Sequence, residues 1–551
     1  MRRAATAVLL VALAPVGCEH HAGGAYARRI TTANELIGGP AALGTIGDWA
    51  IGNGKIRVII QDKGWSRGFG IFGGGIIDAD LQRAGSFGSS AGGTGKDNFG
   101  EFFPALFLMA FDVQDLTTID PETGKTMKLP AIEVINDGSD GEAAIIRARA
   151  LGGDFLTMVS LLLDVAIPSD MLNFETDFIV EPGVRHVRIV GRIKNVSGQE
   201  AKIPLEGIMS FLSTYGVTEF QIPLGDVALF GAGNAVFAPG AVHREGKSPK
   251  PIGFDLRFSV DASYAIDRNL PALPGLVTDL LATAGPEVSY GLAVADSDTN
   301  YVWQNRAEYL KDPLAEVSRH SMLVPFLISS FTGAYYEVPP AVMEPFSVFE
   351  YERYLIIGNG DIASVRDELY KIRNTGTGRL RGRVVNAKTG EPETKAWIHI
   401  LDENGHPFSQ IQTDANGRFT CRLGAGNYRY RVTAPGRYPY PSDDLLEEAR
   451  FEITATCEEP ADLQWKPGDS VGPGGCQKIR HGDATLNVQL PPPSEIVVRV
   501  RDAAGNALPA KVTLVSRYEA EHHGKLPMKF LFDLSLGEHR RHTDLSWRNP
   551  A

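Results

Sequence analysis

The sequence predicts a mainly β protein, composed of a large antiparallel sandwich, a connector helix and small β-sandwich domains. The length of 551 residues exceeds what one hydrophobic core usually organises, so several domains are expected. The chain contains 60 Gly and 34 Pro, which imply frequent turns between short strands. Apolar and polar residues alternate in many segments before residue 361, and a period of two is typical of strands with one buried face.

The charge limits the kinds of partner. The chain carries 54 basic and 66 acidic residues, which gives a net charge of −12. Phosphate binding needs a concentrated basic surface, and the sequence has no basic cluster of that kind. This excludes nucleic acid as a partner. The acids are scattered along the chain, so we expect them to serve solubility.

The N-terminus has the pattern of an export signal. It begins with Met-Arg-Arg, and residues 4–16 form an apolar stretch that is too short to span a bilayer as a helix. Residues 14–18 read Ala-Pro-Val-Gly-Cys, which resembles a bacterial lipoprotein processing box with Pro15 in place of the usual Leu. The alternative is an ordinary cleaved signal that happens to precede a cysteine.

The lipoprotein resemblance implies a location and a partner. It predicts a signal peptide over residues 1–18, acylation of Cys18 and a tether over residues 19–30. Several acyl chains on one cysteine anchor a protein stably in a membrane. Glu19 follows the cysteine, and by resemblance to lipoprotein sorting this favours the outer membrane, on its periplasmic or outer surface.

Residues 31–360 are predicted to form the large sandwich. The segments 174–180 and 184–193 alternate in polarity around Glu-Pro-Gly at 181–183, which indicates a β-hairpin. The general pattern resembles the supersandwich of galactose-mutarotase-like and glycoside-hydrolase accessory domains. A short helix is expected at Trp303 to Lys311.

Residues 361–376 are predicted to be a connector helix. Asp361 can cap the free backbone N–H groups, and Asn-Thr-Gly at 374–376 can end the helix. Ile362, Val365, Leu369 and Ile372 form one apolar stripe, as expected of a helix that packs on one side.

Residues 377–438 are predicted to form a small β-sandwich. The order of its motifs is Leu-Arg-Gly-Arg-Val-Val at 380–385, Thr-Asp-Ala-Asn-Gly-Arg-Phe at 413–419 and Gly-Asn-Tyr-Arg-Tyr-Arg-Val at 426–432. This order resembles the carboxypeptidase regulatory-like, transthyretin-like family of Ig-like sandwiches. In metallocarboxypeptidases such a domain accompanies a separate catalytic domain and supplies no zinc ligand, so the resemblance implies no catalytic residue here.

Two further segments follow the small sandwich. Residues 439–490 lack periodicity and are predicted to be an irregular extension, closed by a disulfide between Cys457 and Cys476 in an oxidising compartment. Residues 491–551 repeat the opening of the small sandwich and are predicted to be a partial second copy. Either the tail completes this copy differently or the chain is a fragment.

The densest acidic and aromatic cluster lies between Asp48 and Glu101. Asp78 and Asp80 are expected on one face of a strand, and with Glu101 they could supply paired carboxylates for glycoside chemistry. The alternative is that these acids satisfy the amides of turns on a sandwich rim. The same region contains four residues expected to bind a ligand, because aromatic and polar groups side by side suit a sugar: Trp49, Trp65, Asp97 and Asn98.

Three other motifs are weak. Residues 68–73 spell Gly-x-Gly-x-x-Gly, but they precede a predicted strand rather than the helix that a nucleotide site needs. Residues 92–96 lack the residues of a P-loop. The C-terminal histidines could bind a transition metal, although two arginines lie among them. They are His522, His523, His539 and His542. We predict no metal site and no cofactor.

A wider resemblance concerns residues 47–58, 74–81 and 97–101. They look like the N-terminal region of exported bacterial lipoproteins in which regulatory-like modules precede a PHP-type metallohydrolase. The sequence therefore predicts a non-catalytic binding or scaffolding protein of the envelope, with a glycan or an envelope protein as partner. The alternatives are the accessory region of a larger metallohydrolase, a glycoside-acting enzyme that uses the acids near residues 78–101, and a purely structural surface protein.

Overall fold

The structure is a computed structural model. It describes residues 24–83, 93–106, 109–119, 123–154, 171–202, 226–230, 236–237, 242–245, 248–251, 276–278, 280–295, 322–328, 331–335, 340, 342–403, 407–434, 437, 440–441, 449–460, 476–492 and 499–508. The predicted signal peptide with Cys18, the helix expected at 303–311 and the C-terminal histidines lie outside these residues. Among the described residues, no helix is long and apolar enough to cross a membrane.

Twenty-five strands among the described residues precede the connector helix, together with a short 3₁₀ helix at Ala33–Glu35. In chain order they are β1 Tyr26–Arg29, β2 Trp49–Gly52, β3 Ile56–Ile60, β4 Ile76–Leu81, β5 Glu101–Phe103, β6 Ala105–Leu106, β7 Met109–Val113, β8 Leu116–Ile119, β9 Thr126–Leu129, β10 Ile132–Asn136, β11 Ala144–Asp154, β12 Leu172–Val180, β13 His186–Asn195, β14 Ala201–Lys202, β15 Asp226–Leu229, β16 Val236–Phe237, β17 Val242–Glu245, β18 Ser248–Pro251, β19 Leu276–Thr278, β20 Leu280–Thr283, β21 Ser289–Ala293, β22 Met322–Ile328, β23 Phe331–Tyr335, β24 Val342–Met343 and β25 Val348–Gly358.

Most of these strands form two sheets, which we call the large sandwich. The first sheet has the order β1-β2-β3-β4-β5-β15-β23-β22-β19-β17-β18. The second has the order β16-β20-β21-β25-β13-β12-β11-β7-β6, with β10 paired to β11. Every pairing in both sheets is antiparallel. The predicted fold class, mainly β with a large antiparallel sandwich, is confirmed.

One apolar core joins the two sheets. It includes Ile51 and Val58 from the first sheet and Phe174 and Ile189 from the second. The hairpin of β12 and β13 has the predicted alternation, because Val187, Ile189 and Ile193 are buried while Arg188 and Arg192 are only partly so. A strand whose side chains alternate in this way places its apolar face toward the opposite sheet.

A buried ion pair also connects the sheets. Asp226 of β15 and Arg353 of β25 are both almost inaccessible, and Asp226 Oδ2 lies 2.6 Å from Arg353 Nε. The Arg353 guanidinium also lies over the ring of Tyr351, 4.6 Å from its centroid. Burial raises the pKa of Asp226 to about 6, despite the opposing charge of Arg353.

The connector helix, α1, spans Ile362–Ile372 as predicted. Asp361 caps it, because its Oδ1 accepts a hydrogen bond from the Ser364 N–H at 2.8 Å. Val365 and Leu369 pack on Leu280 and other residues of the second sheet. The chain leaves the helix through Asn374, whose φ of 49° lies in the left-handed region.

The helix also contacts the domain that follows it. Arg366 Nε donates to the Phe408 carbonyl at 3.0 Å, and the Asp367 carboxylate accepts from the Arg422 N–H at 2.8 Å. On the other side, Glu368 accepts from the Arg185 N–H at 2.8 Å and lies 3.0 Å from His186 Nδ1. One helix therefore holds polar contacts to both parts of the chain.

Nine described strands follow α1. They are β26 Gly378–Asn386, β27 Trp397–Leu401, β28 Pro407–Gln412, β29 Arg418–Leu423, β30 Gly426–Thr433, β31 Arg450–Ile453, β32 Ala455–Pro460, β33 Cys476–His481 and β34 Ala484–Leu490. A three-stranded sheet β29-β26-β34 and a four-stranded sheet β28-β27-β30-β31 enclose one core, which we call the small sandwich. Strands β32 and β33 form a separate pair.

The segment predicted to be irregular, 439–490, contains two strands of the small sandwich. β31 pairs with β30, and β34 lies parallel to β26 with Leu486 opposite Gly382. The prediction missed β34 although its sequence alternates, with Leu486, Val488 and Leu490 buried between more exposed polar residues. The place of β34 in the sheet depends on its pairing with β26, about 100 residues earlier in the chain, which composition does not show.

The cysteines divide into two cases. Cys421 is buried in the core of the small sandwich with a free thiol, as its position in an alternating strand predicts. In the backbone register of β32 and β33, Cys457 lies opposite Ile479 and Cys476 lies opposite Pro460. The disulfide between Cys457 and Cys476 stays a prediction, and it requires another register, because bridged cysteines need Cα atoms within about 7 Å.

Residues 499–508 belong to the segment predicted to be a partial second copy, and they form a turn similar to the first turn of the small sandwich. In the small sandwich Val385 bridges Pro392 and the Glu393 N–H donates to the Val384 carbonyl. In the later segment Arg501 bridges Ala507 and the Leu508 N–H donates to the Val500 carbonyl, with a loop that is one residue shorter. The second copy stays a prediction, because residues 509–551 lie outside the described residues.

Candidate ligand-binding site on the large sandwich

The acidic cluster lies on and beside strands β2 to β5 of the first sheet. All five carboxylates are buried, with at most 1% of each residue exposed. They are Asp48, Asp78, Asp80, Asp97 and Glu101. An isolated buried carboxylate is costly unless hydrogen bonds or cations compensate, so the partners of each one define its role.

Asp78 and Asp80 point to the same side of β4, as alternation requires, but they have different partners. Asp78 accepts hydrogen bonds from the N–H groups of Leu43 (2.7 Å) and Gly44 (3.1 Å). Burial raises the pKa of Asp78 to about 6. Asp80 accepts from both Arg83 Nε (2.9 Å) and Nη2 (2.8 Å), and from the Lys96 N–H at 2.7 Å. Both acids therefore fasten loops to the sheet.

Asp97 is the most unusual of the five. Its Oδ1 accepts from the N–H groups of Ala79 (2.8 Å) and Phe99 (3.2 Å), while its Oδ2 has no hydrogen-bond partner in the structure. Burial, followed by the negative charge of Asp78, raises the pKa of Asp97 to about 8. The buried surroundings of Asp97 therefore favour its protonated form, in contrast to an exposed aspartate.

Asp48 and Glu101 hold one loop, residues 62–73. The Asp48 carboxylate accepts from the Asp62 N–H at 2.9 Å and forms an ion pair with Arg67. Glu101 accepts from the Ser66 hydroxyl at 2.5 Å and from the Gly70 N–H at 2.7 Å. Burial raises the pKa of Glu101. The two acids thus hold the loop at different residues along its length.

The glycines of this loop are explained by Glu101. A Cβ on Gly68 would lie 2.4 Å from Glu101 Oε2, and a Cβ on Gly70 would lie 2.9 Å from Glu101 Oε1. Only glycine lets the backbone approach the carboxylate this closely. The Gly-x-Gly spelling at 68–70 therefore accommodates a buried acid, and the chain continues into β4 as the sequence predicts.

The loop presents aromatic rings to solvent. Trp65 is 76% exposed and stacks on Phe72, with ring centroids 6.1 Å apart and an interplanar angle of 21°. Phe69 is 54% exposed. We call Trp65, Phe69 and Phe72 the Trp65 platform. Sequence reasoning singled out Trp65 but missed Phe69 and Phe72, which a search for aromatic residues around the glycines of the loop could have found.

The other two predicted ligand-binding residues, Trp49 and Asn98, are not part of the Trp65 platform. Trp49 is only partly exposed; its Nε1 donates to Asp62 Oδ1 at 3.0 Å, and the Arg29 guanidinium lies 5.3 Å from its ring centroid. The Asn98 N–H donates to the Tyr290 hydroxyl at 3.0 Å, on the Asp97 side of the cluster. Trp49 braces Asp62 at the start of the loop, whereas Asn98 belongs to the packing between the sheets.

The arrangement has clear chemical consequences. Each of the three weak catalytic candidates, Asp78, Asp80 and Glu101, accepts at least one backbone N–H group, which is the behaviour of carboxylates that hold turns. Among the described residues, no group of three or more His, Cys, Asp or Glu side chains is placed to hold a metal ion. The large exposed aromatic side chains of the region, Trp65 and Phe69, belong to the platform.

Fold and site together define a multidomain β protein. Residues 379–456 match the family model of the carboxypeptidase regulatory-like domain, so the chain contains such a domain. A stretch of the chain is similar to bacillopeptidase F of Bacillus subtilis (strain 168), with 31% identity over 77 residues. That match covers 14% of this chain and 5% of the length of bacillopeptidase F. The matched residues run past residue 438 and include strand β31.

Comparison with solved structures gives low scores. The Slr1438 protein from Synechocystis sp. PCC 6803 matches with a TM-score of 0.28 and 10% identity, over 55% of this chain and 92% of that one. The GH36 alpha-galactosidase AgaB from Geobacillus stearothermophilus matches with a TM-score of 0.29 and 11% identity, over 60% of this chain and 43% of that one. Likeness at this level carries no functional argument.

Proposed function

We propose that this protein binds a glycan, without catalysing a reaction on it, through the Trp65 platform at the bacterial cell envelope. One observation carries the proposal: Trp65 is 76% exposed, although the loop that holds it is fastened by two buried carboxylates. An aromatic face on a rigid support suits a ligand with an apolar face and polar edges, and a sugar ring has both.

The state of the carboxylates supports a binding role. A glycoside hydrolase needs one carboxyl to donate a proton and a second to act as base or nucleophile at the bond to be cleaved. Here Asp78, Asp80 and Glu101 are buried and hydrogen-bonded to loop amides, so none faces solvent beside Trp65. Their contacts agree with the alternative given above, in which these acids accept hydrogen bonds from the amides of turns.

We also propose that the chain is anchored through Cys18 in the outer membrane. Strand β1 runs from Tyr26, opposite Gly52, to Arg29, opposite Trp49, and Trp49 in turn pairs with Ile60. The tether would therefore leave at one end of β1 to β3, while the Trp65 loop follows the other end. An anchor on that side directs the platform away from the membrane, toward an external ligand.

The binding proposal is tested by replacing Trp65. We expect Trp65→Ala to weaken binding to glycans at least tenfold, because an exposed aromatic ring that stacks on a ligand supplies much of the binding free energy. Binding is measured by calorimetric titration against a panel of soluble oligosaccharides. Phe346→Ala is the matched control, because Phe346 is another highly exposed aromatic, 72% exposed, on a different turn. If no oligosaccharide binds the wild type, the proposal is wrong.

The enzyme alternative is tested on the same panel. Turnover of any oligosaccharide that is abolished by Asp80→Asn or Glu101→Gln would replace the binding proposal with a catalytic one. The anchor is tested separately by labelling cells with a fatty acid analogue. We expect label on the wild type and none on Cys18→Ala; equal labelling of both would contradict lipidation at this cysteine.

A further inference from the structure

One face of the three-stranded sheet in the small sandwich is lined by arginines. In the paired segments 378–383 of β26 and 418–423 of β29, alternate side chains are buried in the core and the others point to solvent. Six positions point outward, and five of them hold exposed arginines, with Thr420 as the sixth. We call these five the arginine face. They are Arg379, Arg381, Arg383, Arg418 and Arg422. Because they alternate with buried residues on two strands, no run of basic residues marks them in the sequence.

The strand register places like charges side by side. Arg379 lies opposite Arg422, and Arg383 lies opposite Arg418. Neighbouring arginines on β26 are roughly 7 Å apart along the strand, because every second residue points to the same face. Like charges directly opposite each other in a sheet destabilise the pairing. The arginine face therefore lowers the stability of the sheet unless an anion compensates it.

No acid of the described chain pairs with these guanidinium groups. Three acids lie beside the arginine face, and each accepts a hydrogen bond from a backbone N–H group of its strands at 2.8 to 3.1 Å. They are Asp367, Asp414 and Asp483. Among the described residues, none of the five arginines forms an ion pair. Their side chains have neutral partners instead: Arg383 Nε donates to the Asn416 carbonyl at 3.2 Å, and Arg422 Nη1 donates to the Thr377 hydroxyl at 3.3 Å.

The outward cations of the large sandwich have acidic partners. On the face of its second sheet that points away from the core, Arg147 lies opposite Asp177, with 2.6 Å between Arg147 Nε and Asp177 Oδ1. Arg192 lies opposite Glu350, with 2.7 Å between Arg192 Nε and Glu350 Oε2. Both arginines thus face an acid of the same sheet. On the arginine face the corresponding neighbours are other arginines, which favours an anion supplied by a partner.

A row of neutral polar groups runs beside the arginines. Strand β34 lies parallel to β26, with Thr485 opposite Arg381 and Asn487 opposite Arg383. Thr485, Asn487 and Gln489 are exposed and alternate with buried side chains, so they share the outward face. We call these three the neutral row. Their hydroxyl and amide groups can donate and accept hydrogen bonds, and adjacent strands are about 5 Å apart. The sheet therefore presents a charged row next to a hydrogen-bonding row.

We propose that the arginine face binds an acidic polysaccharide whose sugars carry carboxylate groups. The planar guanidinium matches a carboxylate through paired N–H groups, and the neutral row can bond to hydroxyl groups of the same polymer. A surface of anionic lipids would use the arginines and leave the neutral row without partners, so we favour the polysaccharide. The face acts locally although the net charge of the chain is −12, because salt screens charges beyond about 10 Å.

The test compares two polymers that differ in charge. The full chain is titrated with polygalacturonate, in which every sugar carries a carboxylate, and with the same polymer after methyl esterification. We expect the acidic polymer to bind roughly tenfold more tightly, because hydrogen bonds to charged groups are stronger than those to neutral ones. Its affinity should fall as salt is added. Equal affinity for the two polymers, or no binding of polygalacturonate, would overturn the inference. So would binding to phosphatidylglycerol vesicles without binding to polygalacturonate, because that result would assign the face to a lipid surface.

Two double variants locate the effect. Arg379→Gln with Arg381→Gln removes two charges, and among the described residues the side chains of these two arginines make no hydrogen bond that would be lost. Lys125→Gln with Lys128→Gln is the matched control, since both lysines are exposed on the large sandwich and the change in net charge is the same. We expect the first to weaken polygalacturonate binding roughly tenfold and the second less than about twofold. Equal losses would show that affinity follows net charge and would overturn the inference.

A melting curve without ligand gives an independent readout. Because opposed like charges destabilise a sheet, the arginine double variant is expected to melt at or above the temperature of the wild type. A clear drop in melting temperature would assign the two arginines a structural role and overturn the inference.

This site lies on a different domain from the Trp65 platform and goes beyond the function proposed above, so the two proposals fail separately. Trp65→Ala is expected to leave polygalacturonate binding unchanged. If Trp65→Ala abolishes that binding while the arginine double variant keeps it, the inference is wrong and the platform binds the acidic polymer. If no neutral oligosaccharide binds the wild type but polygalacturonate does, the arginine face stands and the platform proposal fails.

Discussion

The large and the small sandwich use carboxylates for the same purpose in opposite surroundings. In the small sandwich Asp414 is exposed, and its Oδ1 accepts from the N–H groups of Asn416 and Arg418, both at 2.8 Å. In the large sandwich Asp97 also accepts from two backbone N–H groups, but it is fully buried. Each carboxylate organises the backbone around it.

The difference in burial reverses the effect of pH. Hydrogen bonds from the backbone, chiefly that of Arg418, lower the pKa of Asp414. Burial raises the pKa of Asp97 to about 8. The ionised form thus stabilises the small sandwich and destabilises the large one. An ionised carboxylate that holds a turn stabilises the fold at a surface. In a core it destabilises the fold unless its surroundings keep it protonated or pair it with a cation.

The largest effect is expected at the ion pair between the two sheets. Asp226→Asn leaves the Arg353 guanidinium buried without its charge partner, so we expect it to lower the free energy of unfolding by about 4 kcal/mol. Denaturant titration measures the change. A double variant, Asp226→Leu with Arg353→Met, removes both charges and is expected to recover much of the loss. Equal stability of Asp226→Asn and the wild type would mean that the pair does not connect the sheets.

The next effect distinguishes the buried from the exposed acids. Asp97 binds its proton more tightly in the folded than in the unfolded chain, where its pKa is about 3.8, so its ionisation costs stability as pH rises from about 4 to about 8. Asp97→Asn is expected to remove roughly 3 kcal/mol of that loss between pH 5 and pH 8. Denaturant titrations at both pH values give the difference. An identical pH dependence in variant and wild type would show that Asp97 is ionised in the fold.

The helix between the sandwiches gives a third test. Burial opposes ionisation of Glu368, but hydrogen bonds from His186, the Arg185 N–H and Lys371 outweigh it and lower its pKa to about 2. The unfolded pKa is about 4.5, so the contribution of Glu368 is present above that pH and is lost as pH falls toward 2.

We expect Glu368→Gln to lower the free energy of unfolding by roughly 2 kcal/mol at pH 7, because it weakens charge-assisted hydrogen bonds between the helix and β13. Glu344→Gln is the control, since Glu344 is exposed. The deficit of the variant should disappear near pH 2. A deficit that stays constant at low pH would assign the effect to packing rather than to the charge.

The smallest effect is expected at the exposed turn. Asp414→Ala removes the two backbone hydrogen bonds of an exposed carboxylate, so we expect a loss of about 1 kcal/mol at pH 7. The stability lost in Asp414→Ala should fall toward zero as the pH drops below the pKa of Asp414. Ionisation of Asp414 thus favours the fold, whereas ionisation of Asp97 opposes it. The measurement is the melting temperature of the full chain at pH 3 and pH 7. A larger loss at pH 3 than at pH 7 would contradict the comparison.

Local signals in the sequence were reliable. The helix Ile362–Ile372 was predicted because its cap, apolar stripe and stop all lie within 16 residues. The opening hairpin of the regulatory-like domain was predicted from short turn motifs. Strand β34 was missed, because its place beside β26 depends on a partner about 100 residues earlier in the chain.

The candidate site was only partly predictable. Sequence composition located the acids and Trp65 between residues 48 and 101. It did not show that Glu101 packs against the glycines at 68 and 70, since that contact joins a loop to a strand more than 30 residues away. It also left open whether the acids serve catalysis or the turns, because burial is a property of the assembled sheets.

The sequence by itself determined the mainly β class, the connector helix, the regulatory-like domain and the position of the acidic cluster. These follow from the period of two, from capping residues and from turn motifs, all of which act over a few residues. Only the tertiary structure decided the strand order, the burial of the five carboxylates and the exposure of Trp65. Those features depend on pairings between distant strands, and a carboxylate acquires its pKa from the groups that such pairings bring around it.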